Sequence, residues 1–271
     1  MREQVAGAAA TPAVGVRAPI AFALDFPTIE AARPVTEKVA DVVAMLKVGL
    51  ELFIAEGDAS LRLGRDLGVP IFLDLKLHDI PETVERAVAR VCGMGARLLT
   101  VHASGGPAML SAAVSRAQRE GGKTNIVAVT VLTSLDADDL TKIGFAAPPK
   151  DAAIGLARMA ADAGVTHFVC SPHEAAALRA ALGPAAVLIT PGIRPASDSR
   201  GAAGSPVAHA AAGHGDQKRV MTAACAIGEG ANMLVVGRPI RDAADPRAVV
   251  LGLMREIDEG ARASEAEQET P

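Results

Sequence analysis

A single α/β domain closed into a (β/α)₈ barrel is the architecture this sequence predicts, and three observations predict it. Eight apolar runs of strand length recur along the chain, beginning at residues 19, 44, 69, 96, 125, 166, 185 and 232. Helical stretches separate them, and continuous apolar strands alternating with helices make a parallel sheet that is covered on its outer face. Polar residues gather at the C-terminal ends of the runs, where chance would scatter charges between both ends; in a TIM barrel those ends form one rim, where sites are built. The length of 271 residues suits one such domain.

Taken in order, the runs place chemistry on that rim. PIAFALD ends on Asp25, AMLKVG carries Lys47, and VPIFLDLK carries Asp74 and Lys76. ARLLTVHAS presents His102, NIVAVTVLT ends on Thr133, and THFVCS ends on Ser171, which reads as a helix start before Pro172. AAVLITPG leads through Gly192 to Arg194, and NMLVVGRP ends on Gly237 and Arg238. Between the runs, Pro81 opens a helix to about Cys92 that stops near Gly93, and Gly106-Pro107 opens another that stops before Gly121-Gly122. Pro34 interrupts the first helical stretch, so that helix is kinked or begins late.

Composition narrows the function. With six Phe and neither Tyr nor Trp, stacking of nucleobases on aromatic rings is not the binding mode, and a net charge of −4 argues against general nucleic-acid binding. Cys92, Cys170 and Cys225 are widely spaced and form no C-x-x-C pair, which points to a reducing cytoplasm rather than to a disulfide framework or zinc site. No stretch reaches the roughly 20 apolar residues of a membrane span, and the N-terminal segment lacks the apolar core of a signal peptide. The expected organisation is a flexible N-terminal extension over 1–17, the barrel over 18–260, and a flexible tail over 261–271. A long Gly/Ala/Ser/Pro stretch at about 195–216 reads as a mobile loop; its His209 and His214 lack the companions of a metal site.

The sharpest feature is LDLKLHDIPETV from Leu73. In an extended chain residues two apart share a face, so Asp74 and Lys76 point one way while Leu73, Leu75 and Leu77 point the other. An isolated D-x-K triplet is most simply a structural ion pair, yet its place on a rim of converging polar groups favours a catalytic site. Asp79 falls beyond the strand, on a loop from which it can reach elsewhere. His78 beside it reads as a hydrogen-bonded loop residue, and His102 as an orienting or packing group.

ALDFPT, KVGLELF, DLKLHDIPETV, VHASGG, VLTS, CSPHEA, TPGIRP, DQKRV and VVGRPI resemble, in order, the motifs of the bacterial orotidine 5′-phosphate decarboxylase family, from about Ile20 to about Ile240. The resemblance implies loss of CO₂ from orotidine 5′-phosphate to give uridine 5′-phosphate (UMP), the last step of de novo UMP synthesis, with no metal or organic cofactor. It implies an alternating network of Lys47, Asp74, Lys76 and Asp79 with Lys76 as proton donor, in a homodimer whose partner chain supplies Asp79. It further implies Asp25 and Lys47 near the ribose hydroxyls, Thr83 of the partner chain near the same sugar, and Thr133 near the pyrimidine. Arg194, Gln217, Gly237 and Arg238 match phosphate-binding positions. The stretch between Arg194 and Gln217 is longer than the family pattern leads one to expect. Two alternatives stay open: a metal-dependent sugar-phosphate decarboxylase or isomerase on the same barrel, and a non-catalytic nucleotide-phosphate binding protein.

Overall fold

The computed structural model describes residues 17–196 and 221–268. Its strands are β1 (Ala18–Ala23), β2 (Val43–Val48), β3 (Ile71–Leu77), β4 (Leu98–His102), β5 (Asn125–Val129), β6 (His167–Val169), β7 (Val187–Thr190) and β8 (Met233–Val236). Each pairs in parallel with the next, and β1 pairs with β8, so the eight close into a barrel. The expected fold class is therefore the observed one.

Outside the barrel lie α1 (Ile29–Val39), α2 (Leu50–Glu56), α3 (Ala59–Leu67), α4 (Pro81–Met94), α5 (Gly106–Arg119), α6 (Ala137–Lys142), α7 (Pro149–Asp162) and α8 (Ala175–Leu182). After them come α9 (Ala223–Gly228), the short α10 (Arg238–Arg241) and α11 (Pro246–Gln268). Thr28 caps α1 through a bond from Ala31 N at 3.2 Å, so that helix begins early and carries Pro34 inside it. Helix α4 runs past Gly93 and is stopped by Gly95, whose left-handed φ of 81° costs a residue without Cβ little.

Strand alternation sorts the core into two layers. Outward-facing side chains such as Phe22, Leu46, Leu73, Leu99 and Phe168 join the helices in one large cluster. Inward-facing Ala21, Met45, Phe72, Leu98, Val127 and Ile189 form a separate plug that contains no helical residue. The plug fills the lower barrel with apolar side chains, so the positions two residues further along each strand open towards the C-terminal rim.

Both terminal boundaries differ from expectation. Arg17, assigned to the extension, donates to Val43 O and Gly68 O, each at 3.4 Å. Helix α11 continues to Gln268 rather than ending at 260, because ARASEAEQ consists mostly of good helix formers and carries no stop signal. Gly260 looks like that stop but is a point of close approach: a Cβ there would lie 2.8 Å from Cβ of Ala224 on α9. Most of the expected extension, the stretch 197–216 with His209 and His214, and Gln217 lie outside the described residues. Among the described residues no helix is long and apolar enough to cross a membrane.

Candidate active site

Two residues above Met45 and Phe72 of the plug stand Lys47 and Asp74, and β3 is irregular at that height. Leu73 pairs with Leu99, but the next pairing is Leu77 with Val101, so β3 advances by more residues than β4 over the same rise. Such a bulge bends the strand and re-aims its side chains. Within it Lys76 has a φ of 52°, the only positive value for a residue other than glycine among the described residues. Left-handed backbone costs a residue with a Cβ on the order of 1–3 kcal/mol, and it persists where surrounding contacts over-determine it.

Those contacts are present. Lys76 N–H donates to Thr100 Oγ1 at 2.7 Å, Thr100 Oγ1 donates to Asp74 Oδ1 at 3.0 Å, and Lys76 Nζ donates to the same carboxylate oxygen at 2.8 Å. The other oxygen of Asp74 lies 3.3 Å from Lys47 Nζ, which in turn stands 3.6 Å from Asp25 Oδ1. The result is a row of alternating charge, Asp25, Lys47, Asp74 and Lys76, drawn from the ends of β1, β2 and β3. Leu75 and Leu77 lean back on the outer core. Asp74 and Lys76 therefore meet as expected, though through a bulge rather than through regular alternation.

Burial alone would push the Asp74 carboxyl up. Lys47 and Lys76 outweigh that by direct attraction, with hydrogen bonds from Lys76 and Thr100, and hold it below the usual carboxylate range. The His102 imidazole is pushed down, first by burial and then by His78 and Lys76, which favours its neutral form. Its ring centroid lies 5.4 Å from that of His78.

The row edges a cavity of about 500 Å³, a size that suits a nucleotide. Thr133, Arg194, Gly237 and Arg238 line it together with Asp25, Lys47, Asp74 and Lys76. Asp79 and Thr83 are not among the lining residues; both are exposed, and Asp79 Oδ1 accepts from Ile80 N at 2.6 Å. Among the described residues no group of three His, Cys, Asp or Glu gathers that could hold a metal ion.

A family model described as Orotidine 5'-phosphate decarboxylase / HUMPS family matches residues 18–252. The chain belongs to that family. An orotidine 5'-phosphate decarboxylase of Anaeromyxobacter sp. (strain K) is 52% identical over 238 residues, spanning 86% of this chain and 97% of that protein. One of Thermobifida fusca (strain YX) is 46% identical over 241 residues, spanning 89% and 96%. The crystal structure of orotidine 5'-phosphate decarboxylase from Lactobacillus acidophilus superposes with a TM-score of 0.74 at 32% identity, covering 89% of this chain and 99% of that one.

Within this orotidine 5'-phosphate decarboxylase / HUMPS barrel, several lining or supporting residues escape a reading of sequence. Val129, Val131, Val169, Ile193 and Val235 form an apolar wall opposite the charged row; as strand-like apolar residues they carry no signal of their own. Arg241 lines the cavity one turn past Arg238, grips Asp242 with a two-pronged contact at 2.6 and 3.0 Å, and donates to Asp25 O at 3.2 Å. Gly49 leaves room for the charged row: a Cβ there would stand 3.3 Å from Lys47 Nζ. Thr100 was legible in principle, since it lies two residues above Leu98 of the plug, on the same face of β4.

Proposed function

We propose that the chain decarboxylates orotidine 5′-phosphate to UMP and CO₂, the closing step of de novo pyrimidine nucleotide synthesis, and that it does so without metal or organic cofactor. The observation that carries this reading is the pair of lysines bracketing buried Asp74 at 3.3 and 2.8 Å on the edge of a nucleotide-sized cavity whose far side bears Arg194 and Arg238.

The chemistry follows from that arrangement. The bond from C6 of the pyrimidine to its carboxylate breaks, its electron pair stays on C6, and CO₂ leaves. An ammonium fixed beside C6 stabilises the developing charge and then delivers a proton, which assigns Lys76 as donor; the neutral amine recovers its proton from solvent. Asp74 orients that ammonium, and its own charge beside the substrate carboxylate disfavours the bound substrate relative to the transition state. Asp25 and Lys47 face the ribose hydroxyls, and Thr133 the pyrimidine. Arg194 and Arg238 grip the phosphate, with Gly237 offering an unhindered backbone N–H and Gln217 completing the set. Phosphate binding does no chemistry, but its energy holds the reacting pyrimidine against the charged row.

The working unit of the proposal is a homodimer in which Asp79 and Thr83 of one chain complete the site of the other. Their exposure, and that of Ile80 between them at 65%, supports this. The same charged row disfavours a magnesium-dependent relative on this barrel, because Lys47 and Lys76 occupy the space around Asp74 where a cation would need further carboxylates. A mere nucleotide binder has no use for so costly a set of partly buried charges. The test is the ultraviolet absorbance change on adding orotidine 5′-phosphate, with and without EDTA. Turnover in both supports the proposal, turnover lost with EDTA favours the metal-dependent reading, and binding without turnover favours the binder.

A further inference from the structure

The strained backbone of Lys76 leans on a residue of the next strand to which the proposed chemistry gives no part. Thr100 lies in the middle of β4 and is fully buried. Its oxygen receives the Lys76 N–H at 2.7 Å while its own proton goes to Asp74 Oδ1 at 3.0 Å, the atom that also accepts Lys76 Nζ. A hydroxyl has one proton and two lone pairs, so the two bonds form at once and fix its direction.

The bulge makes this hydroxyl necessary. In a regular β3 the N–H of Lys76 would face β2, as the backbone of Pro70 does; the irregularity between Leu73 and Leu77 turns it towards β4, where it meets the Thr100 hydroxyl. A sequestered N–H without a partner is rare because it is costly, and Thr100 Oγ1 is the partner here. The side chain thus ties three things together: the left-handed turn at Lys76, the plane of the Asp74 carboxylate, and the aim of the Lys76 ammonium.

We infer that Thr100 is a positioning residue for the reaction, holding Lys76 and Asp74 in the one arrangement in which ammonium and carboxylate both face the reacting carbon. Its readout in turnover rests on the proposed decarboxylation; the geometry does not. The charged and titratable groups around Asp74 are Lys47 from β2 with Asp25 beyond it from the end of β1, Lys76 from β3, and His102 and its neighbour His78 beside the ends of β4 and β3. Arg194 stands after β7, and Arg238 and Arg241 stand on the short helix α10 after β8. Replacing the hydroxyl by a methyl group of equal bulk alters none of these. The Asp74 carboxylate then loses a donor, and its protonation moves to higher pH.

The experiment compares wild type, Thr100→Val and Thr100→Ser. Expected for Thr100→Val is a fall in kcat of about 10- to 100-fold with KM changed less than about threefold, because a small misplacement of reacting groups acts on the transition state. The acidic limb of its pH profile should lie above that of wild type, and Thr100→Ser should keep kcat within about threefold because it keeps the hydroxyl. A Thr100→Val enzyme with wild-type kcat and an unmoved acidic limb overturns the inference, and so does a Thr100→Ser enzyme that falls as far as Thr100→Val. Should circular dichroism show that the Val chain does not fold, Thr100→Cys, of similar size but with much weaker hydrogen bonding, takes its place under the same criteria. A wild-type chain that leaves orotidine 5′-phosphate intact would end the proposed activity and not this inference. The carbon-13 carboxyl titration of Asp74 then decides: a higher midpoint in the variant upholds the role, and an unchanged midpoint removes it.

Discussion

The two sides of the cavity are built by opposite means. On the β1 to β4 side, Asp25, Lys47, Asp74, Lys76 and Thr100 satisfy one another, and the contacts that aim Lys76 come from Asp74 on its own strand and Thr100 on the next. On the β5 to β8 side the strands contribute Val129, Val169 and Val235, and the charges stand beyond them, at Arg194 after β7 and at Arg238 in the short helix α10. The first side is an oriented dipole field anchored in the barrel, ready before any ligand arrives. The second offers shape from the barrel and charge from the segments that follow its strands. Such a division suits a reaction whose barrier is lowered by fixed electrostatics while affinity comes from a remote group.

The largest effect expected from breaking this comparison is on the charged side. Lys76→Ala should remove nearly all turnover while leaving the fold and most of the affinity for UMP, since the role proposed for its ammonium is in the transition state. Retention of more than about a tenth of wild-type kcat would take Lys76 out of the mechanism. The opposite side should respond in the other kinetic constant. Arg238→Ala should raise KM by about 10- to 100-fold, the worth of a charge-assisted contact to phosphate. It should weaken UMP far more than uridine in calorimetric titrations, and equal weakening of both would show that Arg238 does not hold the phosphate.

How far each side could be read from sequence follows the same division. Asp25, Lys47, Asp74, Lys76, Thr133, Arg194, Gly237 and Arg238 were legible because each closes an apolar run, a local signal that the barrel converts into a common rim. The left-handed Lys76 was not, because the bulge exists only in the pairing of β3 with β4, and a pairing across strands leaves no mark in a window of ten residues. Gly260 is illegible for the same reason: a glycine that ends a helix and one that permits close packing look alike until the neighbour, here Ala224, is in place. Gly93, by contrast, has open space around it and lies two residues before Gly95, the glycine that stops α4. Arg241 resembled any arginine of a short helix, and its grip on the Asp25 carbonyl joins opposite ends of the chain.

A smaller signal tests whether the charged side is finished by a second chain. Lys76→Ala and Asp79→Ala chains should each be inactive alone, and a mixture should regain activity if each site borrows Asp79. In a mixed dimer one site then carries both lesions and the other neither. With random pairing about half the dimers are mixed, so recovery should approach about a quarter of the wild-type sites. No recovery, once mass spectrometry has established subunit exchange, would return Asp79 to its own chain.

The smallest effect lies in stability and bears on whether the charged side is held by its lysines as described. The Asp74 carboxyl sits below its ordinary value of 3.8 in the folded chain. Folding therefore favours its ionised form. Its contribution is present in full above the unfolded value and is lost as pH falls through the folded one, because only then does the native state take up the proton that the unfolded chain already holds. In urea unfolding followed by circular dichroism, wild type should lose more stability between pH 5 and pH 3 than Asp74→Asn, whose side chain takes up no proton in that range. Only the slopes are compared, since the substitution also leaves Lys47 and Lys76 facing each other without a carboxylate between them and so shifts the absolute stability. Parallel slopes would mean that burial cancels the two lysines at Asp74, and that the charged side is held by packing and the Thr100 bonds rather than by its alternating charges.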